Sequence, residues 1–163
     1  MSELRTNKIY PRDGLPAGAT AGGIIQMVEV TNTDQTTFGS TPSDWTATGF
    51  SASITPTSAS NKVLVMVSTS YYIDTEDTTG GLTVFRNGAT NLGGGSYGLK
   101  GIYFYGFNET EDFQVPVNMQ VIDSPATTSS VSYEVYLKGD KSTVKLNGIR
   151  NHQQSIILME VSG

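Results

Sequence analysis

At 163 residues the chain fits one domain, or one domain with an arm, and is long enough to bury a core without disulfides or metals. Its net charge of −5 argues against a phosphate-tracking surface, and the lack of cysteine excludes disulfides, thiol catalysis and zinc–thiolate sites. Only 15% of residues are charged, and the missing charge is replaced by Thr, Ser, Gly and Asn, the exchange expected of strands and turns.

Residues 1–23 differ from the rest of the chain. Pro11, Pro16, Gly14, Gly18, Gly22 and Gly23 break any regular element there. Arg5, Lys8 and Arg12 are too few to make a basic arm. Leu4, Ile9, Tyr10 and Leu15 are spaced apolar anchors that a purely solvating tail does not need. The segment is therefore expected to be an extended docking arm that orders on a partner, with residues 24–163 forming the folded domain. Met1-Ser2-Glu3-Leu4-Arg5 lacks the apolar stretch of a signal peptide, so synthesis in a cytoplasm is expected. No apolar run approaches the ~18 residues of a membrane helix, so no membrane insertion is expected.

From Ile24 onward the pattern is β. Ile24–Val30 and Thr48–Ile54 read as the first strands. Lys62–Ile73 is apolar on both faces at first, which predicts a central strand. Gly81–Arg86 runs into Asn87-Gly88, a strong hairpin signal. The Gly93-Gly94-Gly95-Ser96-Tyr97-Gly98 stretch is either an exposed mobile loop or a strip where another backbone comes close. Gly101–Phe107 alternates, with Tyr103 and Tyr105 on one face and Ile102 and Phe104 on the other. Phe113–Ile122 comes next, and then Val131–Lys138, where Val131, Tyr133, Val135 and Leu137 share a face. Thr143–Leu146 is short and ends at Asn147-Gly148, and Ser155–Val161 closes the chain. No segment has a 3.6-residue apolar period. The expected fold is an all-β, antiparallel, jelly-roll-like sandwich with an extended N-terminal arm.

Catalytic chemistry is hard to build from these residues. A single histidine, His152, without cysteine makes neither a Ser-His-Asp triad nor a His-based metal site, and it reads as a polar loop residue. No P-loop, nucleophile elbow or HExxH is present. Asp74-Thr75-Glu76-Asp77 and Asn108-Glu109-Thr110-Glu111-Asp112 offer oxygen ligands for Ca²⁺, or are solvated turns. Tyr71, Tyr72, Tyr97, Tyr103, Tyr105 and Phe107 either form a sugar-stacking surface or fill the core and a subunit interface. Tyr97, Tyr103 and Tyr105 are the candidates for surface or subunit contact. No enzyme activity, cofactor or nucleic-acid partner is expected.

Three stretches carry a resemblance. Ser2-Glu3-Leu4-Arg5-Thr6-Asn7-Lys8-Ile9-Tyr10-Pro11-Arg12-Asp13-Gly14 leads into Gly22-Gly23-Ile24-Ile25-Gln26. Ile54-Thr55-Pro56-Thr57-Ser58-Ala59-Ser60-Asn61-Lys62-Val63-Leu64-Val65 is the second, and Phe85-Arg86-Asn87-Gly88 the third. The combination resembles the tail-fibre-like virion surface proteins of marine and cyanobacterial bacteriophages. The resemblance implies virion assembly, homotrimers, other virion proteins as partners and, in some members, attachment to a host-surface glycan or protein. It brings no catalytic residues. The chain lacks the long shaft of such fibres, which leaves a fibre tip or adaptor, or a capsid decoration (cement) protein, as roles on the outside of the virion. A free carbohydrate-binding module is the alternative from another class, and it has no use for the arm.

Overall fold

A computed structural model describes residues 23–38, 44–73, 78–104, 113–140, 144–148 and 152–163. The expected arm apart from Gly23, both acidic clusters, Tyr105 and Phe107 lie outside the described residues.

The first sheet is built on β4 (Lys62–Ile73), whose position follows from its apolar run. One edge of β4 pairs throughout with β8 (Phe113–Asp123). Its other edge pairs with β11 (Gln154–Val161) over Lys62–Ser68, then with β10 (Val144–Leu146) over Tyr71–Ile73. β1 (Ile24–Asn32) extends this sheet beyond β11, and β2 (Thr36–Phe38) extends it beyond β10. The second sheet runs β3 (Thr46–Ile54), β9 (Val131–Gly139), β5 (Thr78–Arg86). The far edge of β5 carries β7 (Lys100–Phe104) and β6 (Thr90–Asn91). All pairings between these strands are antiparallel, and the chain passes repeatedly from one sheet to the other. The protein is an all-β antiparallel sandwich.

Alternation puts one side of each strand into the core. Val63, Val65 and Val67 of β4 meet Val131, Tyr133, Val135 and Leu137 of β9 in the buried layer, joined by Ile156 and Leu158 of β11. Leu64 and Met66 are only half-buried, because they face outward from the first sheet. Tyr71 crosses the layer and donates to the Lys138 carbonyl at 3.1 Å. A Cβ at Gly80 would collide with the Tyr71 hydroxyl, so glycine is required where β5 passes this ring. Tyr71 therefore belongs to the core, and Tyr72 is buried with Lys145 Nζ 4.3 Å from its ring centre, so neither forms a sugar-stacking surface.

Two polar links lie at one end of the sandwich, where Asp123 and Glu160 flank Val63. Arg86 holds both carboxylate oxygens of Asp123 through Nη1 at 2.9 and 3.0 Å, and the Tyr133 hydroxyl donates to the same carboxylate at 2.8 Å. Burial and this bond push the Tyr133 phenol far above its ordinary range, so it stays a donor. At the β3–β4 connection the fully buried Glu160 carboxylate accepts from Gln26 at 2.5 Å, from the Thr57 amide and hydroxyl at 2.7 and 2.8 Å, and from Asn61 at 2.6 Å. Gln26 also donates to the Thr55 carbonyl at 2.7 Å. The Gly-Ile-Ile-Gln strand start and the Thr-Pro-Thr-Ser-Ala-Ser-Asn connection noted in the sequence are thus bound to one another through the last strand.

The Asn87-Gly88 turn has positive φ at both residues, 51° and 67°, as a type I′ turn demands. It joins β5 to the two-residue β6, and the Asn87 side chain accepts from the Ser132 amide, which ties the turn to β9. β2 and β6 were not expected from the sequence, since two or three residues are too few to display alternation.

Candidate functional site

The outer face of the second sheet carries an aromatic cluster. On β9 the inward set leaves Glu134, Tyr136 and Lys138 pointing outward, and the register sets Phe85 beside Glu134, Thr83 beside Tyr136 and Gly81 beside Lys138. Phe85 stacks on Tyr136 with centroids 4.1 Å apart and planes at 26°. Trp45, just before β3, tilts against Phe85 at 6.4 Å and 58°. Two glycines make its bed: a Cβ would lie 2.9 Å from the Trp45 ring at Gly81 and 2.8 Å from it at Gly98. Lys138 Nζ lies 5.0 Å from the Trp45 ring centre and 5.0 Å from that of Tyr97, held between two π faces. Burial, and then the Glu134 carboxylate, raise the Tyr136 phenol above its ordinary range.

The Gly-rich segment builds one wall. Leu92 N donates to the Val84 carbonyl at 2.9 Å and Leu99 N to that of Leu82 at 3.0 Å, so the chain leaves β5 and returns to it. A Cβ at Gly93 would lie 2.5 Å from Leu99 N, while Gly94 and Gly95 face open space. The ends of the stretch are close backbone approaches, at Gly93 and Gly98, and its tip at Gly94 and Gly95 is open.

Tyr97 and Tyr103 are 43% and 65% exposed and line a shallow hollow with Thr79, Gly101 and Ile102. Both candidates thus lie on the surface near the aromatic cluster. Tyr105 and the arm residues Leu4, Ile9, Tyr10 and Leu15 lie outside the described residues. His152 is exposed, and its carbonyl accepts from the Asn147 side chain at 2.7 Å. Among the described residues no group of three or more His, Cys, Asp or Glu could hold a metal.

Sequence reasoning missed Trp45, Phe85 and Tyr136 as a unit. The signal was partly there: Tyr136 and Lys138 fall on the non-core face of their strand, and Phe85 ends a hairpin strand. Nothing local says that the two strands are neighbours, or that Trp45 folds onto them. The assembled face offers flat rings, a cation and a carboxylate, which suits stacking and hydrogen bonding to a sugar or a polar protein surface.

No family model and no curated protein matches the chain. Among solved structures it is similar to VP2 of infectious bursal disease virus. Against the D431N mutant VP2 in T=1 particles the TM-score is 0.41 at 14% identity, covering 96% of this chain and 42% of that one. Against the VP2 subviral particle the TM-score is 0.42 at 12% identity, covering 98% of this chain and 43% of that one. The chain spans less than half the length of these proteins.

Proposed function

We propose that the chain is a bacteriophage virion structural protein. In this reading it is a short tail-fibre-like or appendage subunit that docks through residues 1–23 and presents the aromatic face of its second sheet to host-surface glycans. The observation that carries the reading is the meeting of Gln26, Thr57 and Asn61 on the buried Glu160. These residues come from separate stretches of the phage-like resemblance, so the resemblance follows one folded unit and not scattered short words. The half-buried Trp45, Phe85 and Tyr136 rings, the exposed Tyr97 ring and the Lys138 cation supply the contact chemistry.

Two measurements test it. Mass spectrometry of purified particles of the encoding phage should detect the chain, and antibodies against it should label the particle exterior. Particles lacking it overturn the proposal. Trp45 is the chain's single tryptophan, so intrinsic fluorescence reports directly on the aromatic face. Host-surface polysaccharide should shift that emission, and Tyr136→Ala with Phe85→Ala should weaken the response about tenfold. An unchanged emission at saturating polysaccharide removes the glycan contact from the proposal.

A further inference from the structure

The outer face of the first sheet carries a second feature, unconnected with the aromatic cluster. Register places Met27 beside Met159, Met159 beside Leu64, and Leu64 beside Ile122, an apolar row across four strands. The next row is Glu29, Ile157, Met66 and Gln120. The row after that, Thr31, Ser155, Ser68 and Asn118, is wholly polar and ends the patch. On the other side Ile24 pairs with Val161, and Val161 with Lys62. Met27 and Ile122 are 59% and 65% exposed, which is expensive for side chains of this size. At ~4.8 Å between strands and ~7 Å between alternate residues, the eight apolar positions cover roughly 270 Å². That is about a third of the ~800 Å² each partner contributes to a standard interface, an apolar centre to be completed by a polar rim.

The charges on this face identify its occupant. Glu29 and Lys62 stand at opposite corners, one row to either side of the central row, and neither is in an ion pair among the described residues. A two-fold axis lying in the face, midway between them, passes over Met159. It sets Glu29 opposite the second copy's Lys62, Lys62 opposite the second copy's Glu29, and Leu64 over the second copy's Ile157. The patch can therefore meet its own copy with opposite charges facing and apolar residues against apolar residues, a condition for an isologous contact. Three of the chain's five methionines lie on it, and their flexible side chains suit two identical surfaces that must interdigitate. We infer that this face packs against the same face of a second copy of the chain. The inference does not depend on the virion reading.

The full-length chain in solution tests it. At micromolar concentration, light scattering should report twice the chain mass of 17.4 kDa. Met27→Lys and Ile122→Lys should each give the single mass while keeping the wild-type melting temperature, since both side chains are largely exposed. Glu29→Lys and Lys62→Glu alone should each weaken pairing about tenfold or more, and the double charge swap should restore it. Peroxide oxidation of Met27, read by mass spectrometry, should slow as protein concentration rises. Protection that is independent of concentration assigns the face to a segment of the same chain. A monomer with Met27 unprotected assigns it to a different protein, and a mass of three chains assigns it to another symmetry. Each of these results overturns the inference, as does a charge swap that fails to restore pairing. A monomer found on particles leaves the virion proposal standing, and a pair absent from particles does the reverse.

Discussion

Glu160 shows how a single residue can decide the stability of one end of the sandwich. Burial by itself raises a carboxyl pKa, but the hydrogen bonds from Asn61, Gln26 and Thr57 outweigh it and hold Glu160 at about 2, against 4.5 for the free group. The folded value lies below the unfolded one. The stabilisation is therefore complete above about 4.5 and is lost as pH falls from there towards 2. Denaturant unfolding measured from pH 7 downward should show this loss. Glu160→Gln should cost about 1–3 kcal/mol at neutral pH, because an amide placed there turns a donor towards other donors. The same variant should flatten the acid limb, and an unchanged limb would mean that other carboxylates carry it. Ala126 is a second instance at this scale. It comes after Pro125 and has φ +53°, in the left-handed region that glycine enters without strain. Relief of that strain exceeds the entropy glycine loses on folding, so Ala126→Gly should raise stability by up to about 1 kcal/mol.

Among the elements, β5 is the most constrained. It passes the Tyr71 ring at Gly80 and the Trp45 ring at Gly81, and neither position has room for a Cβ. Gly80→Ala should destabilise by about 1–3 kcal/mol as an overpacked site. Tyr71→Phe in the same chain removes the hydroxyl nearest to the new methyl and should recover part of that loss, a coupling that a double-mutant cycle measures. Full additivity would show that the two groups do not meet. The same strand shows what could be read from the sequence. Its end was legible, since Asn-Gly after an alternating run specifies a hairpin by local chemistry alone. Its start at Thr78 was not, because Gly80 and Gly81 weaken a strand locally and are demanded only by rings distant in sequence. β9 was legible because its one buried face makes Val131–Lys138 alternate, and β4 and β11 because each carries an unbroken apolar run, Val63–Val67 and Ile156–Met159. The aromatic cluster was not, since it depends on β9 lying between β3 and β5 and on Trp45 crossing two glycines.

At the scale of the whole molecule, the relation between the sandwich and its first residues sets the last test. The described fold begins at Gly23, whose carbonyl accepts from Ser162 N at 2.9 Å, and the β1–β11 ladder runs on from Ile24. Removing residues 1–22 cuts none of these bonds. Ordering a segment with Gly14, Gly18 and Gly22 costs roughly 1 kcal/mol or more per residue. Burial of Leu4, Ile9, Tyr10 and Leu15 offsets only part of that cost. On the proposed virion role a single arm would bind weakly, and several arms engaged at once by an oligomer would give the stable hold. Deletion of residues 1–22 should leave the melting temperature of the domain within a few degrees, while the truncated protein fails to join particles. Replacing Leu4, Ile9, Tyr10 and Leu15 with Ser in the full-length chain should have the same effect on assembly with the chain length intact. Loss of folding on deletion would make the segment part of the core and move the boundary at Gly22-Gly23. Normal incorporation of the truncated protein would place the anchor on the sandwich itself.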